Sequence, residues 1–103
     1  MPAAWLVVRA TVANAADRSG FDAWYHAEHL PDAMKAFGVA TAWRGWSEQD
    51  RSVHCAHYRF ESAALLAAAT AGPAIRALIA EFDRCWPTVT RTRETFLVGD
   101  AVD

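Results

Sequence analysis

The chain has 103 residues, a formal net charge of −2 and 53% hydrophobic against 21% charged residues. That is one domain's worth of chain with enough apolar residues to bury a core, which excludes a disordered or multidomain protein. The near-neutral balance lacks the basic excess of a nucleic-acid binder, and no apolar run approaches the roughly 20 residues of a membrane span. Five Trp, five Phe and two Tyr are a heavy aromatic load for so short a chain. Such rings belong to a core, a partner surface or a ligand cavity.

Two cysteines, Cys55 and Cys85, do not make a disulfide framework. With no basic n-region and apolar h-region at the N-terminus, a reduced, cytoplasmic setting is expected.

In chain order, Trp5–Val12 reads as a strand, Arg9 and Thr11 alternating with Val8 and Ala10. Asn14–Gly20 is a polar turn, with Asp17 or Ser19 as helix cap. Helical spacing runs from Ser19 to Phe37 through Phe21, Trp24, Tyr25 and Leu30. Pro31 lacks an N–H, so a break is predicted near His29 with a short second turn through Lys35, and Gly38 as the stop. Val39–Ser47 is the second strand, with Trp43 on one face and Arg44 and Trp46 on the other or at its edge. Glu48–Ser52 is too short for a crossover and joins it antiparallel to a third strand, Val53–Phe60. Ser62 caps an Ala/Leu-rich helix, Pro73 restarts a second piece to Cys85, and Thr88–Val98 is the last strand.

The order βαββαβ predicts an α+β fold: a ferredoxin-like sandwich whose four-stranded antiparallel sheet carries helices on one face. Trp5, Val7, Trp43, Trp46, Val53, Cys55 and Phe60 cannot all lie under two helices. The other face therefore needs a cover, and a second copy packed sheet to sheet is the simplest one. A homodimer with a space between its sheets is expected.

The segment Phe21-Asp22-Ala23-Trp24-Tyr25-His26-Ala27-Glu28-His29-Leu30-Pro31-Asp32-Ala33-Met34, followed by Phe37-Gly38 and Thr41-Ala42-Trp43-Arg44, resembles the dimeric α/β-barrel superfamily. It is similar to small members with a W-Y-x-x-E-H-L-P-D segment and, more loosely, to the EthD-like group. The element order extends the resemblance over the whole chain. It implies the dimeric α/β-barrel architecture and one of several activities: monooxygenases of antibiotic biosynthesis, haem degradation, muconolactone-type isomerisation, stress response or effector binding. His29 matches the position most regularly His in such segments, and Trp24 and Tyr25 match the aromatic pair before it. The Asn/Trp/His set of the haem-degrading members is not matched.

Three readings of His29 stand side by side: a bond to a backbone carbonyl freed at Pro31, acid/base work at a cavity, or metal binding with His26. The H-E-x-x-H spacing of a metal site is absent. His54 and His57 lie on opposite faces of one strand, so at most one faces the space between sheets. His57 shares its face with Cys55 and Arg59. Arg9, on a neighbouring strand, completes a cavity with His57 and Trp43 for a small anionic or enolisable aromatic-like ligand, or pairs with Glu94 or Asp22 at a dimer interface. The cysteines read as inert thiols and Tyr58 as core.

Taken together, the expected catalytic groups are His29, His57 and Arg9, with Trp24, Tyr25, Trp43 and Arg44 binding the ligand. No metal or cofactor is expected. The expected activity is isomerase- or monooxygenase-like, on a small organic acid or aromatic compound in the inter-sheet cavity. The alternative is a non-catalytic ligand-binding or stress-response dimer.

Overall fold

The computed structural model describes residues 2–101. Four strands, β1 (Ala4–Thr11), β2 (Ala42–Trp46), β3 (Val53–Phe60) and β4 (Thr90–Leu97), form one sheet in the order β2-β3-β1-β4, with every pair antiparallel. Trp5 lies between Arg59 and Phe96, Val7 between His57 and Glu94, and Arg9 between Cys55 and Thr92. Two helical segments cover one face: α1 (Arg18–Trp24) running through a π-helical segment (Tyr25–His29) into α2 (Leu30–Phe37), and α3 (Ala63–Ala69) followed by α4 (Pro73–Cys85). This is the ferredoxin-like α+β arrangement.

Alternation decides what lies beneath the helices. Ala4, Leu6, Ala10 and Val12 from β1 and its end meet Ala56, Tyr58 and Phe60 from β3 in the core, with Phe21, Tyr25, Ala33, Leu66 and Phe82 from the helices. Of the apolar residues that could not all fit under the helices, Trp46 and Phe60 do, while Trp5, Val7, Trp43 and Cys55 are on the open face.

The expected break at Pro31 does not occur. Pro31 sits at the start of α2, and the turn before it widens instead: the Leu30 N–H donates to Tyr25 O, five residues back. A π turn takes in one extra residue, so the helix passes the proline without ending. Gly38 does stop it, at φ 68° in the left-handed region. β2 is shorter than expected, starting at Ala42. Ser62 caps α3 by accepting the Leu65 N–H at 3.2 Å. At the first helical turn the capping side chain is Asn14, which accepts the Ala16 N–H, while Asp17 makes no side-chain cap bond.

Candidate functional site

Between the helices and the sheet lies a cavity of about 50 Å³, walled by aliphatic side chains including Leu6, Val8, Ile75, Leu78 and Ile79. Its polar groups come from three elements: Tyr25 and His29 from the π segment, Tyr58 from β3, and Arg91 and Arg93 from β4. An apolar pocket with a few convergent polar groups is the usual build of a small-molecule site.

The His29 ring stacks on Trp24 at 4.8 Å and meets Tyr25 at 4.8 Å and Phe82 at 5.4 Å, edge-on in both cases. Burial among these rings, reinforced by the Arg91 charge, lowers its pKa from 6.5 to about 4, against the pull of Asp32 and Glu81. At neutral pH it is a neutral imidazole, able to take a proton.

Arg91 lies across the Phe82 ring at 3.9 Å, and its Nη2 pairs with Asp83 at 3.0 Å. Its Nη1 is buried and has no hydrogen-bond partner among the described residues. A guanidinium nitrogen left so is costly unless an anion or another acceptor meets it. The Tyr25 and Tyr58 hydroxyls bond to each other at 2.8 Å, and burial above all holds both phenols protonated, Tyr58 pushed up to about 12.

Beside the cavity, the π segment rests on a second polar group. Asp22 Oδ1 accepts from Arg44 Nη1 at 2.8 Å and from Trp46 Nε1 at 2.8 Å. The same Arg44 Nη1 lies 3.3 Å from His54 Nε2. A guanidinium only donates, so Nε2 accepts and the ring proton resides on Nδ1. Among the described residues His54 is the one buried polar side chain, 1% exposed, and its ring packs against Tyr25 at 4.5 Å and Phe21 at 5.2 Å. Burial, then the Arg44 charge, brings its pKa down to about 4. The bonds from Arg44 and Trp46 hold the Asp22 carboxyl below its ordinary range.

The open face carries a separate, shallow depression of about 320 Å³ lined by Trp5, Val7, Arg9, Trp43, His57 and Phe96. Trp43 stacks on His57 at 3.7 Å and is 50% exposed as a residue, and Phe96 is 44% exposed. The Cys55 Sγ is 3.6 Å from His57 Nδ1, its thiol pushed up by burial. Arg9 is not buried: it reaches Glu94 at 3.6 Å, with about half of each side chain in solvent.

The expected site residues thus divide between two places. Arg9, His57 and Trp43 share the open-face depression, as their strand phases indicated. His29, Trp24 and Tyr25 lie on the other side of the sheet, among the helices. Arg44 is engaged with Asp22 and His54. His29 makes no hydrogen bond to a backbone carbonyl among the described residues, and no group of three or more His, Cys, Asp or Glu there is placed to hold a metal. Sequence reasoning missed Arg91 as a pocket residue. An arginine every second residue in β4, at 91 and 93, was the available signal, since both then share a face.

No family model matches the chain, and no curated protein matches it. Solved structures do. A variant of SnoaB, a cofactor-independent oxygenase from Streptomyces nogalater, superposes with a TM-score of 0.74 at 14% identity, covering 99% of this chain and 98% of that one. An ethyl tert-butyl ether degradation (EthD) family protein from Bacillus halodurans gives 0.63 at 14% identity, over 87% and 96%. A dimeric ferredoxin-like protein from an uncultured marine organism gives 0.56 at 15% identity, over 99% and 100%. The likeness extends over the whole domain and establishes the ferredoxin-like fold. No single helix among the described residues is long and apolar enough to cross a membrane.

Proposed function

We propose that this protein is a small cofactor-independent enzyme that removes a proton from an acidic organic molecule held between helices and sheet. The observation that carries the reading is the pairing, in one apolar pocket, of a neutral imidazole at His29 with the unpartnered Nη1 of Arg91. The substrate C–H or O–H proton passes to His29, and the electron pair left behind is held as an oxyanion against Arg91. Asp32 and Glu81 favour the imidazolium that forms. Returning that proton to another carbon makes the reaction an isomerisation. Addition of the carbanion to dioxygen, forming a C–O bond and, with a proton, a hydroperoxide that loses water to leave a carbonyl, makes it an oxygenation, the class of activity of the similarly folded SnoaB.

The test is proton exchange. Cyclic 1,3-diketones and hydroxynaphthalenes in D₂O should lose their acidic C–H signal faster with the protein than without it. His29→Ala and Arg91→Met should each slow that exchange at least tenfold. An unchanged rate in His29→Ala overturns the assignment of the base.

The working unit under this proposal is a homodimer closed sheet to sheet. Trp5, Trp43 and Phe96 supply the apolar contact, and Arg9 and His57 face the chamber between the sheets. Exposed rings on an uncovered sheet face support it, as does the dimeric state of one protein of the same fold. Sedimentation equilibrium should give twice the chain mass, and Trp43→Glu should return the monomer mass. A monomer in the unaltered protein refutes this part.

A further inference from the structure

The two tyrosines in the pocket are left over from the chemistry assigned to His29 and Arg91. Their hydroxyls are 2.8 Å apart, and neither makes another hydrogen bond among the described residues. Both phenols are protonated at neutral pH. Two O–H groups with one bond between them leave one O–H over. The other polar groups of the lining are His29, Arg91 and Arg93, and among the described residues none of them is bonded to that hydrogen; a buried donor without a partner is unfavourable by about 1–3 kcal/mol.

We infer that the leftover hydroxyl of the Tyr25–Tyr58 pair is a second oxygen-recognition point, so that the pocket selects small ring acids bearing two oxygen functions. One, a carboxylate or other oxyanion, meets Arg91 Nη1; the other, a hydroxyl or carbonyl oxygen, receives the tyrosine hydrogen. The inference rests on the pocket being the ligand site proposed above.

Three observations support it. The tyrosine pair and Arg91 line the same small cavity from different elements, so a ligand held there has both within its surroundings. The walls between them are apolar, so a ligand lacking either oxygen leaves a polar group unmatched. The pair is also held from behind, Tyr25 packing on His54 at 4.5 Å with the Arg44 guanidinium 5.7 Å from its ring, which fixes the donor in place.

The test compares benzoate with 2-, 3- and 4-hydroxybenzoate by calorimetry or by chemical-shift titration of the full-length protein. At least one hydroxybenzoate should bind about tenfold more tightly than benzoate, the value of one good hydrogen bond. Tyr25→Phe with Tyr58→Phe removes both partners while preserving shape, a change close to neutral for stability. That double variant should lose the preference, binding the hydroxylated isomer no more tightly than benzoate. Arg91→Met should weaken benzoate and hydroxybenzoates alike.

A preference that persists in the double variant overturns the inference, and so does its absence from the unaltered protein. In either case, uniform weakening by Arg91→Met leaves the proposed pocket standing. If none of the four acids binds at millimolar concentration, inference and pocket assignment fail together.

Discussion

His54 makes the folding stability depend on pH in a way that can be worked out from its surroundings. Its ring is 1% exposed, faced by Arg44, Asp22, Trp46, Phe21 and Tyr25, with His29 beyond. The unfolded chain takes up a proton on this ring below pH 6.5, whereas the folded protein resists until about pH 4. Between those values the unfolded state binds more protons. The contribution is therefore complete above pH 6.5 and lost as the pH falls toward 4. The slope is about 1.4 kcal/mol per pH unit, so roughly 2 kcal/mol is gone by pH 5 from this residue alone. His29, lowered to about 4 by the same principal cause, adds a slope of the same sign. Asp22 acts below this window, because a carboxyl held below 3.8 keeps its stabilising charge until the medium is more acid still. Urea unfolding followed by tryptophan fluorescence from pH 7.5 to 4.5 should show both histidines. His54→Gln, which preserves an acceptor for Arg44, should remove about half the slope. A flat profile in the unaltered protein, or an unchanged slope in His54→Gln, would refute the reasoning.

Other substitutions probe the supports of the site. Asp22→Asn leaves the Arg44 guanidinium, only 15% exposed in its side chain, without its counter-charge. A loss of about 2–3 kcal/mol in urea unfolding is expected, together with an altered Trp46 emission. Gly38→Ala meets no neighbouring atom within 4 Å, so its cost comes from the positive φ alone, about 1–2 kcal/mol on the melting curve. Ser62→Ala removes the acceptor for the Leu65 N–H and should cost about 1 kcal/mol, with the circular dichroism of the folded state unchanged.

The strand phases were the most legible part of the sequence. Alternation put His54 and His57 on opposite faces and Arg44 with Trp46 away from Trp43, because a pleated strand leaves a side chain no other choice. Caps and stops were legible for a similar reason, since Ser62, Pro73 and Gly38 act through their own local chemistry. What sequence could not supply was which face would form the better enclosed pocket. Arg9 drew attention as a polar residue in an apolar strand, yet half of its side chain is in solvent. Arg91 drew none, because it stands in a last strand of alternating Thr and charged residues with no apolar neighbour beside it. Its burial arises from the end of α4, which folds back over the strand so that Phe82 and Asp83, nine and eight residues earlier, lie against it. Nor did pattern show that Asp22, four residues into the first helical run, would anchor Arg44 and Trp46, since that contact spans more than 20 residues.

The π turn at Tyr25–His29 also sets the helix's angular bookkeeping. Successive residues of a regular helix advance by roughly 100°. Phe21 and Tyr25 face the sheet, and so does Ala33, yet eight regular steps from Tyr25 would carry Ala33 about 80° out of line. Absorbing one residue in the wide turn cancels most of that offset, and the same side of the helix faces the cavity before and after Pro31. A chain one residue shorter between Tyr25 and Leu30, wound as a plain helix, would recover the same alignment. It would have to do so with a different side chain where His29 now stands. The length of this stretch, as much as its composition, decides whether a base is presented to the pocket at all.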